Sequence, residues 1–383
     1  MAPTTKPSIA MKVYDYQWAA TFGMDAQEAA TELVRDGVDT VLIRNQIDPL
    51  PDSGVDQQAY LASGRTMPSE ADRAWSNALR DVGLRVLQTT ALFFDPELLE
   101  SFPEARPIDA EGKCDRGFDW YQGVCPTHEG YLDAKIERLR LVASQLEPDG
   151  LFLSFTRYPG YWENWVVGYR LSAADRFCFC PRCLRRFAAD SNIALPTGDT
   201  AAQASFILRE VGEQWTGWRS ARIVAAVERI AAAVRAERPG IEIMLNTLAF
   251  PAADFGGLDV RREIAAQDLS LLSGVVDQFE LMTYLQILGR SDDWLPPVVA
   301  DARRAAPDRP LLCTLQVAPL YTAGVHAGRG RREEITADDL GHSARAALSA
   351  GADGLVFYHW TDFLIDEAEG GRKRSELRGL AGD

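Results

Sequence analysis

Short apolar runs alternate along this chain with longer stretches in which apolar side chains return every three or four positions. The first pattern predicts buried strands and the second amphipathic helices. Strands are expected over residues 11–18, 39–45, 84–94, 150–157, 241–247, 275–284, 310–317 and 354–359. Helices are expected over 25–36, 69–82, 130–146, 214–237 and 337–350. Gly37-Val38-Asp39 and Gly351-Ala352-Asp353 share one grammar, a glycine that closes a helix and a strand that begins at once. The alternation predicts a single (β/α)8 barrel over residues 1–383, with insertions after strands three (95–127) and four (158–206). A doubly wound open sheet is the competing arrangement. It calls for a glycine-rich turn after strand one, where this chain has Tyr14-Asp15-Tyr16-Gln17-Trp18.

In a barrel of parallel strands the residues just past each strand share one mouth. Read that way, the mouth gathers Asp15 and Trp18, then Arg44, Asn45 and Asp48, and Trp120 from the loop after strand three. Strand four runs into Arg157, Tyr158, Trp162 and Glu163. Asn246, Tyr284, Gln316, His359, Trp360 and Asp362 follow from the later strands. Aromatic faces stack on sugar C–H surfaces, and amides, acids and arginine satisfy hydroxyls that burial would otherwise strand. Two carboxyl groups can divide the acid and the nucleophile or base roles of glycoside cleavage.

The candidate acids are Glu163, Glu280 and Asp362. Each has a plainer role open to it. Glu163 can pair with Arg157. Glu280, inside the apolar run Phe279-Glu280-Leu281-Met282, shares a strand face with Met282 and Tyr284, so it is either a buried lumen acid or a carboxylate held in the barrel floor by a cation. Asp362 can pair with His359 or cap the last helix. Trp18, Trp162 and Trp360 are assigned to the mouth by position alone.

Composition narrows the function classes. The chain has 383 residues and a net charge of −15 with no basic stripe, which argues against nucleic acid or an anionic membrane as partner. No apolar run is long enough to span a bilayer, and residues 1–12 lack a signal-peptide core, so a cytoplasmic location is expected. Four histidines are too few at strand ends for a histidine-rich metallohydrolase, and no phosphate-binding loop, dinucleotide fingerprint or Gly-x-Ser-x-Gly elbow occurs. No cofactor is expected for catalysis. Oligomeric state is left open, a homo-oligomer included.

Three of the six cysteines form Cys178-Phe179-Cys180-Pro181-Arg182-Cys183. Three thiolates with Cys114 or Cys125 can hold a structural zinc, and the expected set is Cys178, Cys180, Cys183 and Cys114. Reduced thiols packed under the insertion are the alternative.

Residues 149–163, the cysteine turn through Phe187, Val124-Cys125-Pro126-Thr127-His128 and the run from Leu281 to Arg290 resemble uncharacterised bacterial glycoside-hydrolase-like TIM barrels. The resemblance extends over most of the chain and implies a glycosidase acting on a carbohydrate. It also implies an acid/base after strand four, which Glu163 fits, and a nucleophile after strand seven, where this chain has Gln316. The position of Glu280 is usually small or polar in the family pattern. Similar cysteine turns bind zinc in other barrel glycosidases. A carbohydrate lyase or isomerase with Tyr158, Tyr284 or His359 as base, and a non-catalytic sugar-binding barrel, are the competing functions.

Overall fold

The computed structural model describes residues 6–48, 50, 69–115 and 117–382. Eight parallel strands close in sequence order into a barrel: β1 Ser8–Val13, β2 Thr40–Ile43, β3 Arg85–Ala91, β4 Gly150–Ser154, β5 Glu242–Thr247, β6 Gln278–Leu281, β7 Leu311–Gln316 and β8 Gly354–Tyr358. β8 pairs with β1, with Ser8 opposite Gly354, so no edge is left open. The open-sheet alternative is thereby excluded. Helices Ala26–Arg35, Ser69–Asp81, Glu129–Leu146, Gly212–Glu237, Leu295–Ala305 and Ala337–Ser349 pack outside. Gly37 and Gly351 sit at φ 82° and 97°, where a side chain would be strained, so each lets the chain pass from helix end to strand start across four residues.

Several strands are shorter than their apolar runs. β1 ends at Val13 because the Asp15 carboxylate accepts the Gln17 N–H at 3.0 Å and opens a helical turn, Gln17–Ala20. Trp18 therefore rides on that turn, outside the strand. β4 ends at Ser154, and Arg157 belongs to the loop beyond it.

Strand alternation sets two layers inside the barrel. The lower one is apolar: Ala10, Leu42, Leu87, Phe152, Met244, Leu312 and Val356 pack together. Two residues further along the same strands come Lys12, Arg44, Thr89, Ser154, Asn246, Thr314 and Tyr358, with Glu280 from β6. The barrel thus changes from a hydrocarbon plug to a polar floor within one pleat.

The two insertions stand over that floor. The loop after β3 contains the helix Pro96–Ser101, and its chain is turned by Asp109, whose carboxylate accepts the N–H groups of Glu111 and Lys113 at 2.9 and 2.8 Å. The segment after β4 contains helices Pro181–Ser191 and Thr200–Glu210.

Candidate active site

A cleft opens at the C-terminal end of the barrel. Lys12, Arg44, Thr89, Ser154, Asn246 and Tyr358 form its floor, and Trp120, Phe155, Arg157, Trp162, Glu163, Tyr284 and Tyr321 are among the residues of its walls. Its mix of aromatic surface with few polar groups suits a small ligand.

Glu163 is the only carboxylate among the described residues lining this cleft. It follows β4 in a single helical turn, Trp162–Asn164, and is 4% exposed. Burial, opposed by the charges of Arg157 and Arg331, pushes its carboxyl up to about 7; the nearby Asp119 charge adds to the rise. The turn is fixed from two sides. Trp162 stacks on Tyr284 with ring centroids 5.4 Å apart. Arg331, from the loop after β7, donates to the carbonyl oxygens of Glu163, Ile287 and Tyr321.

Glu280 lies in the same interior, fully buried, and is committed. Lys12 Nζ is 2.7 Å from its Oε1, Thr314 donates to the same oxygen, and Asn246 donates to Oε2. The cation is itself placed 5.1 Å from the Phe152 ring centre and donates to Tyr284 Oη at 3.0 Å. Of the two readings of Glu280, this geometry is that of a carboxylate held in the barrel floor.

Of the residues expected at the mouth, the cleft brings together Arg44, Trp120, Arg157, Trp162, Glu163, Asn246 and Tyr284. The others lie elsewhere. Asp15 accepts from Thr361 at 2.7 Å and joins β1 to the last turn of the barrel. Trp18 stacks on Trp75 at 4.7 Å in the helical layer. The Asn45 side chain accepts the Asp48 N–H at 2.8 Å, and Asp48 pairs with the buried Lys135 at 2.7 Å. Tyr158 is buried beneath the cysteines, with the Arg219 guanidinium 5.1 Å from its ring centre. Gln316 bonds Ile287 N and Gln286, bracing the β6 and β7 loops. Trp360 is buried and donates to Asp36. His359, and not Asp362, is the N-cap of helix Trp360–Ala368; Asp362 sits in the first turn, accepts the His359 N–H at 3.4 Å and lies 3.7 Å from its Nε2, so it is tied to His359.

Lys12, Tyr321 and Arg331 were not anticipated. Lys12 was findable: it is a lone cation in an apolar strand, and the alternation applied to Glu280 puts it on the lumen face too. Arg331 reaches Glu163 across 168 positions of sequence, and no local pattern announces that contact.

A second site lies behind the first. The sulfurs of Cys125, Cys178, Cys180 and Cys183 are buried and all within 4.8 Å of one another. Cys125 Sγ is 3.4 Å from Cys183 Sγ and 3.8 Å from Cys180 Sγ. A tetrahedral ion with metal–sulfur bonds of ~2.3 Å has sulfur–sulfur edges of ~3.8 Å, so the donor set fits. The fourth member is Cys125 and not Cys114, which is exposed and turned toward the Asp115 carbonyl. The reason is local. The chain after Ala105 returns to the barrel at Cys125, whose N–H bonds Ala105, whereas Cys114 sits at the far end of the Asp109 turn.

No protein-family model matches the sequence, and no curated protein matches it. Solved structures do share its fold. The PgaB (BpsB) glycoside hydrolase domain from Bordetella bronchiseptica superposes with a TM-score of 0.67 at 16% identity, covering 98% of this chain and 99% of that one. β-Galactosidases from Bacillus circulans sp. alkalophilus and the haloarchaeon Halorubrum lacusprofundi give 0.66 and 0.65 at 12% and 14% identity; 98% of this chain aligns, spanning 55% and 57% of theirs. At these identities the likeness establishes the barrel and its elaborations, not the reaction.

Proposed function

We propose that the protein is a glycoside hydrolase in which Glu163 protonates the leaving oxygen. One observation carries the reading: a buried carboxyl, pushed by burial toward its protonated form, lies in the wall of an aromatic cleft at the barrel mouth. Trp120, Trp162, Tyr284 and Tyr358 offer faces for a sugar ring, and Asn246, Arg44 and Arg157 offer donors for its oxygens. The fold shared with a glycoside hydrolase domain and with β-galactosidases supports the same reading.

The second carboxylate must lie near Glu163 and reach solvent. Glu280 has both oxygens occupied, and Asp362 serves its own helix. Asp119, from the loop after β3, lies outside the residues lining the cleft but is the better candidate. It is partly exposed, its charge is felt at Glu163, and His326 Nε2 lies 3.1 Å from its Oδ2. In this reading Asp119 orients or deprotonates water while Glu163 releases its proton to the departing sugar oxygen.

The four cysteines hold a structural zinc that takes no part in the chemistry, since an all-thiolate site leaves no open position. They tie the β3 loop, through Cys125, to the β4 segment that carries Glu163.

A second reading, a carbohydrate lyase with Tyr284 as base, is favoured by the Lys12–Tyr284 contact, because an ammonium at 3.0 Å stabilises a phenolate. A panel of p-nitrophenyl glycosides and natural oligosaccharides, with the wild type and Glu163→Gln, tests both. Glu163-dependent release of a saturated reducing sugar supports hydrolysis; an unsaturated, ultraviolet-absorbing product supports the lyase.

A further inference from the structure

The chain carries a net charge of −15, yet its cleft is cationic. Four charged side chains line it: Lys12, Arg44, Arg157 and Glu163. Lys12 is matched by Glu280 beneath it. Arg44 is spent on neutral acceptors, the carbonyl oxygens of Tyr14 and Leu50, each at 3.0 Å. Arg331, just behind Glu163, also bonds only carbonyl oxygens. Three guanidinium charges therefore surround the site, and no ion pair among the described residues answers them.

Arg157 is the extreme case. It is 3% exposed, so its charge is almost wholly removed from bulk water. Its Nε is buried with no hydrogen-bond partner among the described residues. The guanidinium is held by a flat surface alone, 4.9 Å above the Phe155 ring, which in turn stacks on Tyr121. A guanidinium buried without a carboxylate is costly, and folded proteins keep such a group where something else completes it. Glu163 lies close enough to feel that charge but forms no ion pair with it. The cleft therefore presents a rigid planar donor fork with an open position for an acid group.

We infer that the sugar bound beside Glu163 is anionic, a uronic acid or a sulfated residue whose acid group pairs with Arg157. The inference rests on the carbohydrate reading of the cleft and gives that reading a substrate class. A carboxylate satisfies the fork with two parallel hydrogen bonds, whereas a neutral hydroxymethyl group leaves one donor and the full charge unanswered. Discrimination of this kind is large because the penalty for the wrong ligand is a buried unpaired charge.

The test is calorimetric titration of the full chain with D-glucuronate, D-galacturonate and D-galactose 6-sulfate, against D-glucose and D-galactose. Reducing sugars present both anomers, and their binding needs no turnover. The acids are expected to bind at least about tenfold more tightly than their neutral parents. That ratio should fall toward one in Arg157→Gln, recover in part in Arg157→Lys, and shrink when ionic strength is raised about tenfold. Uronate and sulfate arms identify which acid group the site takes. Equal affinity for acid and neutral sugars, no measurable binding of any acid, or a ratio indifferent to Arg157 would overturn the inference. Should Arg157→Gln fail to fold, judged by circular dichroism, the lysine variant and the salt dependence of the wild type still decide. Glu163-dependent hydrolysis of neutral glycosides with no preference for acids overturns this inference and leaves the hydrolase standing. Arg157-dependent uronate binding with no glycoside cleaved does the reverse.

Discussion

Lys12 Nζ sits 2.7 Å from Glu280 Oε1 at the centre of the barrel, and this contact separates the roles of two buried glutamates. Glu280 is paired, hydrogen-bonded and out of the cleft lining; Glu163 is unpaired and lines it. The difference is measurable as stability. Glu280→Gln strands the Lys12 ammonium in the interior and should cost on the order of 3 kcal/mol in urea unfolding. Glu163→Gln should act in the opposite direction at pH 8. A carboxyl raised in the fold from 4.5 to about 7 contributes stability that is complete below pH 4.5 and lost as pH rises through 7. Removing the ionisable group then restores up to about 3 kcal/mol at alkaline pH. Two variants shifting the same way at pH 8 would contradict the assignment.

The same group sets a pH limb on activity. The protonated form of Glu163 is the acid, so kcat/KM should fall as pH rises through about 7. The Arg331 charge lowers that value, so Arg331→Ala should move the limb to higher pH while also loosening the Glu163 turn. A pH–rate profile whose limb stays in place would show that Arg331 acts only as a structural tie.

These acids also show what the sequence could and could not tell. The barrel was legible because eight apolar runs, each opened or closed by glycine or a charged turn, repeat one unit. The fourth strand and the Arg157–Glu163 segment beyond it were legible for the same reason. Strand ends were not, because Asp15 stops β1 by bonding a backbone N–H, a choice that hydropathy does not record. Trp18, Trp360 and Tyr158 follow strands in sequence but turn into packing, since a large ring past a strand end fits a helical layer as well as a mouth. The pairing of Asp48 with Lys135 depends on a helix that arrives 87 residues later. Cys114 and Cys125 were equivalent by spacing, and only the path of the β3 loop distinguishes them.

That path gives the next expectation. Cys125→Ser should abolish zinc retention measured by elemental analysis of the purified protein, and Cys114→Ser should leave it intact. Stripping the ion with a chelator should lower the melting temperature and suppress activity together, because the β3 loop and the β4 segment share the site. Full stability and turnover in a metal-free protein would contradict the stapling role.

Asp119 offers a further check on the paired roles. Asp119→Asn keeps the size of the side chain and its contact with His326 but removes the base. Turnover should drop by about 100-fold or more with folding unchanged, as for loss of a general base. Wild-type-like rates in this variant would return the search for the second carboxylate to the barrel interior.

The central claim, that Glu163 gives its proton to the leaving oxygen, is tested most directly by varying that leaving group in Glu163→Gln. For the sugar that the wild type cleaves, hydrolysis of an aryl glycoside with a strongly acidic phenol needs little protonation, whereas an alkyl or sugar leaving group needs it fully. The account predicts that Glu163→Gln retains most of the wild-type rate on the dinitrophenyl glycoside and loses about 100-fold or more on the natural linkage. An equal loss on both substrates, or none on either, would contradict it.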